Sequence, residues 1–382
     1  MSKVFLIDSA RTPIGRATKG SLVSARPDDL AASVVRTVVN RSNVPGSAVD
    51  DLQMGCGYPE GEQGYNIGRR VALLSGLPVE VPGSTVSRMC ASSMQAVRTG
   101  FHAIRSGESQ LHIAAGVESI SRVGRTTRPQ DMHPALHGDP FADIYISMGV
   151  TAENVAKAYA ISRIEMDELA LSSHRRAIAS SDAGHSAREI VPFELADGSA
   201  ITDDDGPRRD TSLEKLSTLP SAFVEGGSIT AGNSCPLSDG AAALILAGQE
   251  AVERYSLKPR ARILATAVCG VAPEMMGIGP IEAIRSVLKA SGLTIRDIDF
   301  VELNEAFAAQ VIAVCRETGI DMQRQLNPRG GAIALGHPFG MTGVRLVGAL
   351  LNDLEVLDGT LGIATLCVGG GQGMAVMVER LR

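Results

Sequence analysis

The sequence predicts an α/β protein assembled from two similar halves, with a separate segment inserted into the first. Three observations predict it. Strand-like and helix-like apolar patterns alternate along the chain, and the first and last thirds run through them in the same order. One connection between matching strands is roughly 120 residues long in the first copy and about seven in the second. At 382 residues the chain also exceeds the size at which one hydrophobic core usually stops growing.

The first copy opens with the strand VFLIDSA (4–10). An amphipathic helix follows, with Leu30, Val34, Val35, Val38 and Val39 on one face, and then a strand around Leu52–Cys56. In the second copy ARILATAV (261–268), a helix carrying Ile281, Ile284 and Leu288, and the strand IDFVEL (298–303) repeat that order. Next come two helices preceded by loops, one with an apolar face of Met94, Val97, Phe101 and Ile104, the other with Val344, Val347, Leu351 and Leu354. LHIAAG (111–116) then matches LGIATL (361–366), and AAALILA (241–247) matches MAVMV (374–378). The halves are expected at 1–118 plus 235–258 and at 259–382, with an inserted loop domain over 119–234. Such alternation predicts largely parallel sheets, whose strand C-terminal ends gather ligands.

Composition removes several functions. A formal charge of −6 and a pI near 5.7 argue against general nucleic-acid binding, although local arginine clusters could still hold phosphate groups. No apolar run reaches the ~18 residues that span a bilayer, and MSKVFLIDSARTP lacks the order of a signal peptide, so a cytoplasmic, non-membrane protein is expected. Six scattered cysteines are expected to be reduced thiols, with no metal-ligand spacing among them. His133 and His137 stand i,i+4 apart, but Pro134 between them favours a loop over a metal pair.

Four segments carry chemistry. STVSRMCASSMQAV places Cys90 after a polar loop at a helix start, where unpaired backbone N–H groups favour a thiolate. NEAFA puts Asn304 directly after a strand, and NPRGGAIALGHPFG presents His337 in a glycine-dense loop. CVGGGQG sets Cys367 at a strand end, with Gly369 offering an unobstructed backbone N–H. Taken singly, each has an ordinary structural explanation: a buried thiol, a strand-end cap, a loop histidine. By the order of elements all four fall at strand ends.

Together these segments resemble the thiolase family, over essentially the whole chain from ARTPIG to CVGGGQG. The resemblance implies a five-layered α/β/α/β/α fold of two βαβαβαββ halves, assembled as a homodimer or dimer of dimers. It also implies coenzyme A and acyl-CoA thioesters as substrates, with no permanently bound cofactor. Cys90 would be the nucleophile, His337 its base and Cys367 the acid/base that exchanges a proton with acetyl-CoA. Asn304 and His337 would face the thioester oxygen, and the Cys90 and Gly369 N–H groups the acyl oxygen. Arg208 and Arg209 match the position that meets the nucleotide, Phe223 and Cys235 the pantetheine wall, and Met148 and Met276 the acyl pocket. Two positions depart from the family pattern: Cys235 replaces a usual serine, and Ser147 stands where acetoacetyl-CoA-forming members carry histidine. The latter leans towards degradative cleavage of 3-ketoacyl-CoA. Alternatives are biosynthetic acetyl transfer and a non-catalytic lipid carrier, which should lack one of the reactive residues.

Overall fold

A computed structural model describes residues 2–124, 129–136 and 143–382. Its core strands are β1 (Val4–Arg11), β2 (Asp51–Cys56), β3 (Gly83–Val86), β4 (Leu111–Ser119) and β5 (Ser238–Gly248) in the first half. The second half supplies β6 (Ala261–Gly270), β7 (Phe300–Leu303), β8 (Leu361–Val368) and β9 (Gln372–Arg380). Hydrogen bonding runs β3-β2-β4-β5-β1 and then β6-β9-β8-β7, and the two-residue strand Gly15–Arg16 joins β5. The second order mirrors the first, down to a parallel bridge from Val301 to Leu326 where β3 would lie. Two residue pairs, Phe5 with Arg262 and Leu6 with Ala261, stitch the halves into one continuous ten-stranded sheet.

Only β2 with β3 and β4, and β7 with β8, are parallel; β5 runs antiparallel to β4 and β1, and β9 to β8 and β6. The expectation of largely parallel sheets is therefore corrected, and the short link explains why. Between β8 and β9 lie Gly369, Gly370 and Gly371, and a parallel crossover needs a dozen or more residues. Gly370 and Gly371 both adopt left-handed φ near 80°, which completes the turn.

Side-chain alternation sorts the structure into layers. Along β5, Ala241, Ala243, Ile245 and Ala247 enter one core with helix α1 (Pro27–Arg41) and helix α2 (Ile67–Leu74), while Ala242, Leu244 and Leu246 enter the central core. That central core is filled by α3 (Ser92–Ser106), through Met94, Val97, Phe101 and Ile104, and by a late helix over 339–356, through Met341, Val344, Val347 and Leu351. On the far side, Ala375 and Met377 of β9 meet Ile281, Ile284 and Val287. The result is α/β/α/β/α, the architecture expected above.

Between β4 and β5 the chain forms α4 (Met148–Ala158) and α5 (Arg163–Asp182), separated at Ala160, whose φ is +48°. The second half contributes α6 (Gly279–Ser291), α7 (Ala308–Thr318) and α8 (Phe339–Val356). Close approach of the central helices depends on missing side chains: a Cβ on Gly343 of α8 would lie 2.2 Å from the Met94 backbone N of α3. A Cβ on Gly116 would likewise lie 2.2 Å from the Gly340 carbonyl, so β4 lies directly against the start of α8. Among the described residues no helix is long and apolar enough to cross a membrane.

Candidate active site

Cys90 sits on a tight turn between β3 and α3. Met89 before it has φ +44°, a left-handed conformation that costs a non-glycine residue on the order of 1–3 kcal/mol. Ser92 holds the turn: its hydroxyl accepts from the Arg88 N–H at 2.9 Å and donates to the Met89 carbonyl at 2.6 Å. The thiol receives the backbone N–H of Gly369, reaching across from the β8–β9 turn, and its own N–H. A Cβ on Gly369 would come no nearer than 3.6 Å to Met89, so a side chain there would occupy space beside the thiol without clashing.

The helix start alone favours a thiolate, but burial decides otherwise. Desolvation pushes the Cys90 thiol up to about 11, and the charge of Glu118 adds to the rise, against the two N–H donors. Resting Cys90 is a thiol and needs a base. Cys235 and Cys367 are close enough to feel its charge, and burial raises both well above the usual thiol range. Three thiols thus share one site.

Beside Asn304 stands His337. It lies just ahead of α8, buried, with its N–H donating to Ser238 Oγ at 3.2 Å. Its Nδ1 is 2.7 Å from Thr342 Oγ1, and that hydroxyl donates its single proton to the Pro338 carbonyl at 2.7 Å. Thr342 can then only accept from the ring, so the proton sits on Nδ1 and Nε2 keeps its lone pair. Asn304 Nδ2 approaches Nε2 at 3.3 Å, and Asn304 Oδ1 is buried with no partner among the described residues. Asn304 is itself fixed by its N–H to the Thr365 carbonyl of β8, two residues before Cys367. Phe339 joins the two groups: its ring stands edge-on to the imidazole at 5.1 Å and lines the same cavity as Cys90.

Burial, then the positive charge of Arg345, lowers the His337 pKa to about 3. The neutral ring is retained in the folded protein far below the ordinary histidine value. As pH falls from about 6.5 towards 3, the unfolded chain takes up a proton that the folded one refuses, so this group progressively withdraws stability. Imidazole-labelled NMR from pH 8 to 5 should therefore show an Nδ1–H tautomer that does not titrate. A midpoint near 6.5 would contradict the assignment.

Glu118 carries no sequence motif, yet it organises the site. Its carboxylate accepts from the N–H groups of Gly57 at 2.8 Å, Tyr58 at 3.2 Å and Gly340 at 2.9 Å, and from Gln63 Nε2 at 2.6 Å. It thereby ties β4 of the first half to the start of α8 in the second. A glutamate at the end of a mainly apolar strand is the only local signal, and it reads equally as a chance polar position.

Two cavities border thiols, one at Cys90 and the other at Cys235. One, of about 830 Å³, is lined by Cys90, Met148, Ser147, Phe339, Gly369 and Arg88 among others. The other, of about 390 Å³, is lined by Arg16, His174, Arg208, Lys215, Phe223 and Cys235. Phe223, Cys235 and Arg208 are thus brought to one cavity. Arg209 is not: it pairs with Asp182 at 2.9 Å and lines a separate cleft with Asp203 and Asp204. Met276 is buried in the cluster that contains Cys367, with Met148 packed against it. Sequence reasoning missed Arg16 and His174, whose positions depend on the fold; the Arg208 N–H donates to His174 Nδ1 at 3.2 Å. His137 lies outside the described residues, and among those described no three metal-binding side chains cluster.

Comparison with known proteins follows the same lines. The family model "Thiolase, N-terminal domain" matches residues 4–250 and "Thiolase, C-terminal domain" matches 257–380. The chain is 45% identical to a beta-ketoadipyl-CoA thiolase of Pseudomonas aeruginosa, covering 99% of both proteins. It is 42% identical to a 3-ketoacyl-CoA thiolase of Bacillus subtilis, covering 99% of this chain and 100% of that one. Among solved structures, human mitochondrial 3-ketoacyl-CoA thiolase in complex with CoA superposes with TM-score 0.92 at 35% identity, over 100% of this chain and 98% of that one.

Proposed function

This chain belongs to the thiolase family, and from that premise we propose that it cleaves 3-ketoacyl-CoA with coenzyme A in the degradative direction, through an acyl group held on Cys90. The observation that supports this reading is a half-buried thiol that borders a cavity also lined by Phe339, whose ring packs on a neutral imidazole protonated at Nδ1, with a second, buried thiol close enough to feel the charge of the first.

In the proposed cycle His337 Nε2 takes the Cys90 proton as sulfur attacks the 3-keto carbon. The oxygen there becomes negative and is met by the N–H groups of Cys90 and Gly369, the same donors that reach the resting thiol. Collapse breaks the bond between C2 and C3 and leaves the acetyl-CoA enolate, whose oxygen faces protonated His337 and the Asn304 amide. Cys367, kept protonated by burial, delivers a proton to C2. Acetyl-CoA departs. A second CoA thiol then gives its proton to the Cys367 thiolate and takes the acyl group, and the released Cys90 sulfur recovers its proton from His337.

The segment 119–234 is read as the unit that holds coenzyme A, with Arg208 and Arg16 at the nucleotide end and Phe223 along the pantetheine. Arg16 and Arg208 repel each other and line the same cavity, an arrangement that suits phosphate. Ser147 lines the larger cavity and leaves room for an acyl group longer than acetyl. Thiolysis of acetoacetyl-CoA and longer 3-ketoacyl-CoA substrates, followed by loss of the enolate absorbance, should show turnover that is greater for the longer chains. No turnover across that series with CoA present would refute the reading.

A further inference from the structure

Glu305 directly follows Asn304, is buried, and takes no part in the cycle above. No arginine or lysine pairs with it among the described residues, so its hydrogen bonds come from neutral donors. Ser173 Oγ donates to Oε2 at 2.6 Å and the Ile333 N–H to the same oxygen at 3.1 Å, while Asn327 Nδ2 donates to Oε1 at 2.8 Å. Burial raises the Glu305 pKa, and these three donors oppose the rise. A carboxylate this deep is costly unless its hydrogen bonds are complete, and here both oxygens are engaged.

The donors belong to the stretches of chain that carry Asn304 and His337. Asn327 has φ +39°, a conformation that persists in a non-glycine residue only where its surroundings hold it. Its side chain accepts from the Leu303 N–H and donates to the Leu303 carbonyl, each at 2.9 Å, which fixes the end of β7 just before Asn304. The Gly331 N–H donates to Ser173 Oγ at 3.1 Å, and a Cβ on Gly331 would lie 2.1 Å from the Glu305 carboxyl carbon, so the glycine loop lies directly on the carboxylate. From there one helical turn (Ala332–Leu335) leads to His337. Ser173 comes from α5, in the segment inserted between β4 and β5. Resting on the roles proposed for Asn304 and His337, we propose that Glu305 is a positioning residue. With Ser173 and Asn327 it clamps the loop of His337 against the strand end of Asn304 and so sets the 3.3 Å approach of Asn304 Nδ2 to His337 Nε2. The charge felt at His337 is that of Arg345, so Glu305 acts there through geometry. The inserted segment thus orients the catalytic pair besides bordering the cavity of Arg208 and Cys235.

Glu305→Gln keeps the size of the side chain but turns one acceptor oxygen into a donor, which must face either the Asn327 amide or the Ser173 and Ile333 donors. Thiolysis by this variant should fall ~10- to 100-fold in kcat with KM for CoA nearly unchanged, the loss that a misplacement of roughly 1 Å produces. Ser173→Ala removes a single donor and should lower kcat less. Imidazole-labelled NMR at neutral pH reads the pair without turnover. In Glu305→Gln the His337 Nε2 resonance should shift as Asn304 Nδ2 moves away, while the Nδ1–H bonded to Thr342 stays where it is. An unmoved Nε2 resonance in the folded variant overturns the proposal whatever happens to kcat, because a merely structural role leaves that contact intact. Should Glu305→Gln fail to fold, Ser173→Ala decides by the same resonance. A shifted Nε2 in a protein whose wild type cleaves no 3-ketoacyl-CoA leaves the clamp standing and sinks the thiolase reading instead.

Discussion

Cys90→Ala is expected to abolish acyl transfer, lowering thiolysis by on the order of 10⁴-fold or more, because no other group can take the acyl fragment in that geometry. Only the Cys90 thiol is both open to the larger cavity and supplied with the Gly369 N–H. Cys367 is buried, and Cys235 borders the other cavity. Brief exposure of the wild-type protein to substrate, followed by peptide mass spectrometry, should find the acyl mass on the Cys90 peptide and none in the variant. Label on Cys235 or Cys367 would reverse the roles assigned here. Removing a small thiol from the mouth of α3 leaves the hydrogen bonds of Ser92 that shape the turn, so the variant should fold.

His337→Ala should lower turnover by on the order of 10²–10⁴, because one ring serves both as the base for a thiol held near 11 and as an oxyanion donor. The diagnostic readout is the reactivity of Cys90 itself. In the wild type, alkylation of Cys90 should proceed with help from Nε2; in the variant it should slow markedly at neutral pH and recover only as pH rises towards the intrinsic value of the thiol. Equal alkylation rates in both proteins would mean that the imidazole does not take the Cys90 proton. A purely structural loss would also unfold the start of α8, which Glu118 anchors independently through Gly340, so thermal melting separates the two explanations.

Arg345 shapes this chemistry from a distance. It pairs with Glu302 at 3.1 Å deep between the layers, and its charge helps keep His337 unprotonated. Around it Arg11, Glu189, Arg329 and Asp353 form further buried pairs, with Arg11 also bridging to Asp204 at 2.7 Å. The network links the segment between β4 and β5 to both halves. Removing one member of such a buried set leaves its partner uncompensated, which is why its influence exceeds that of the exposed pair between Arg209 and Asp182.

Cys90, Asn304, His337 and Cys367 were legible because each lies in a short segment whose local chemistry is unusual: a thiol at a helix mouth, a histidine among glycines, an amide and a thiol at strand ends. Glu118 and Thr342 were not, because what they do depends on partners elsewhere in the fold. The Glu118 bond to Gly340 spans 222 positions, and Thr342 matters only because the ring of His337 turns back onto it.

The sequence by itself determined the duplication and the layers, since apolar periodicity dictates which faces are buried and motif order dictates which loops meet. Tertiary structure alone decided strand direction in the second half, where three residues between β8 and β9 permit only an antiparallel turn. It also decided the proton inventory. A helix start argues for a thiolate, but burial outweighs that pull, and the Thr342 hydroxyl then dictates which imidazole nitrogen stays bare. Protonation depends on the dielectric and the donors around a group, and those are supplied by residues far away in the chain.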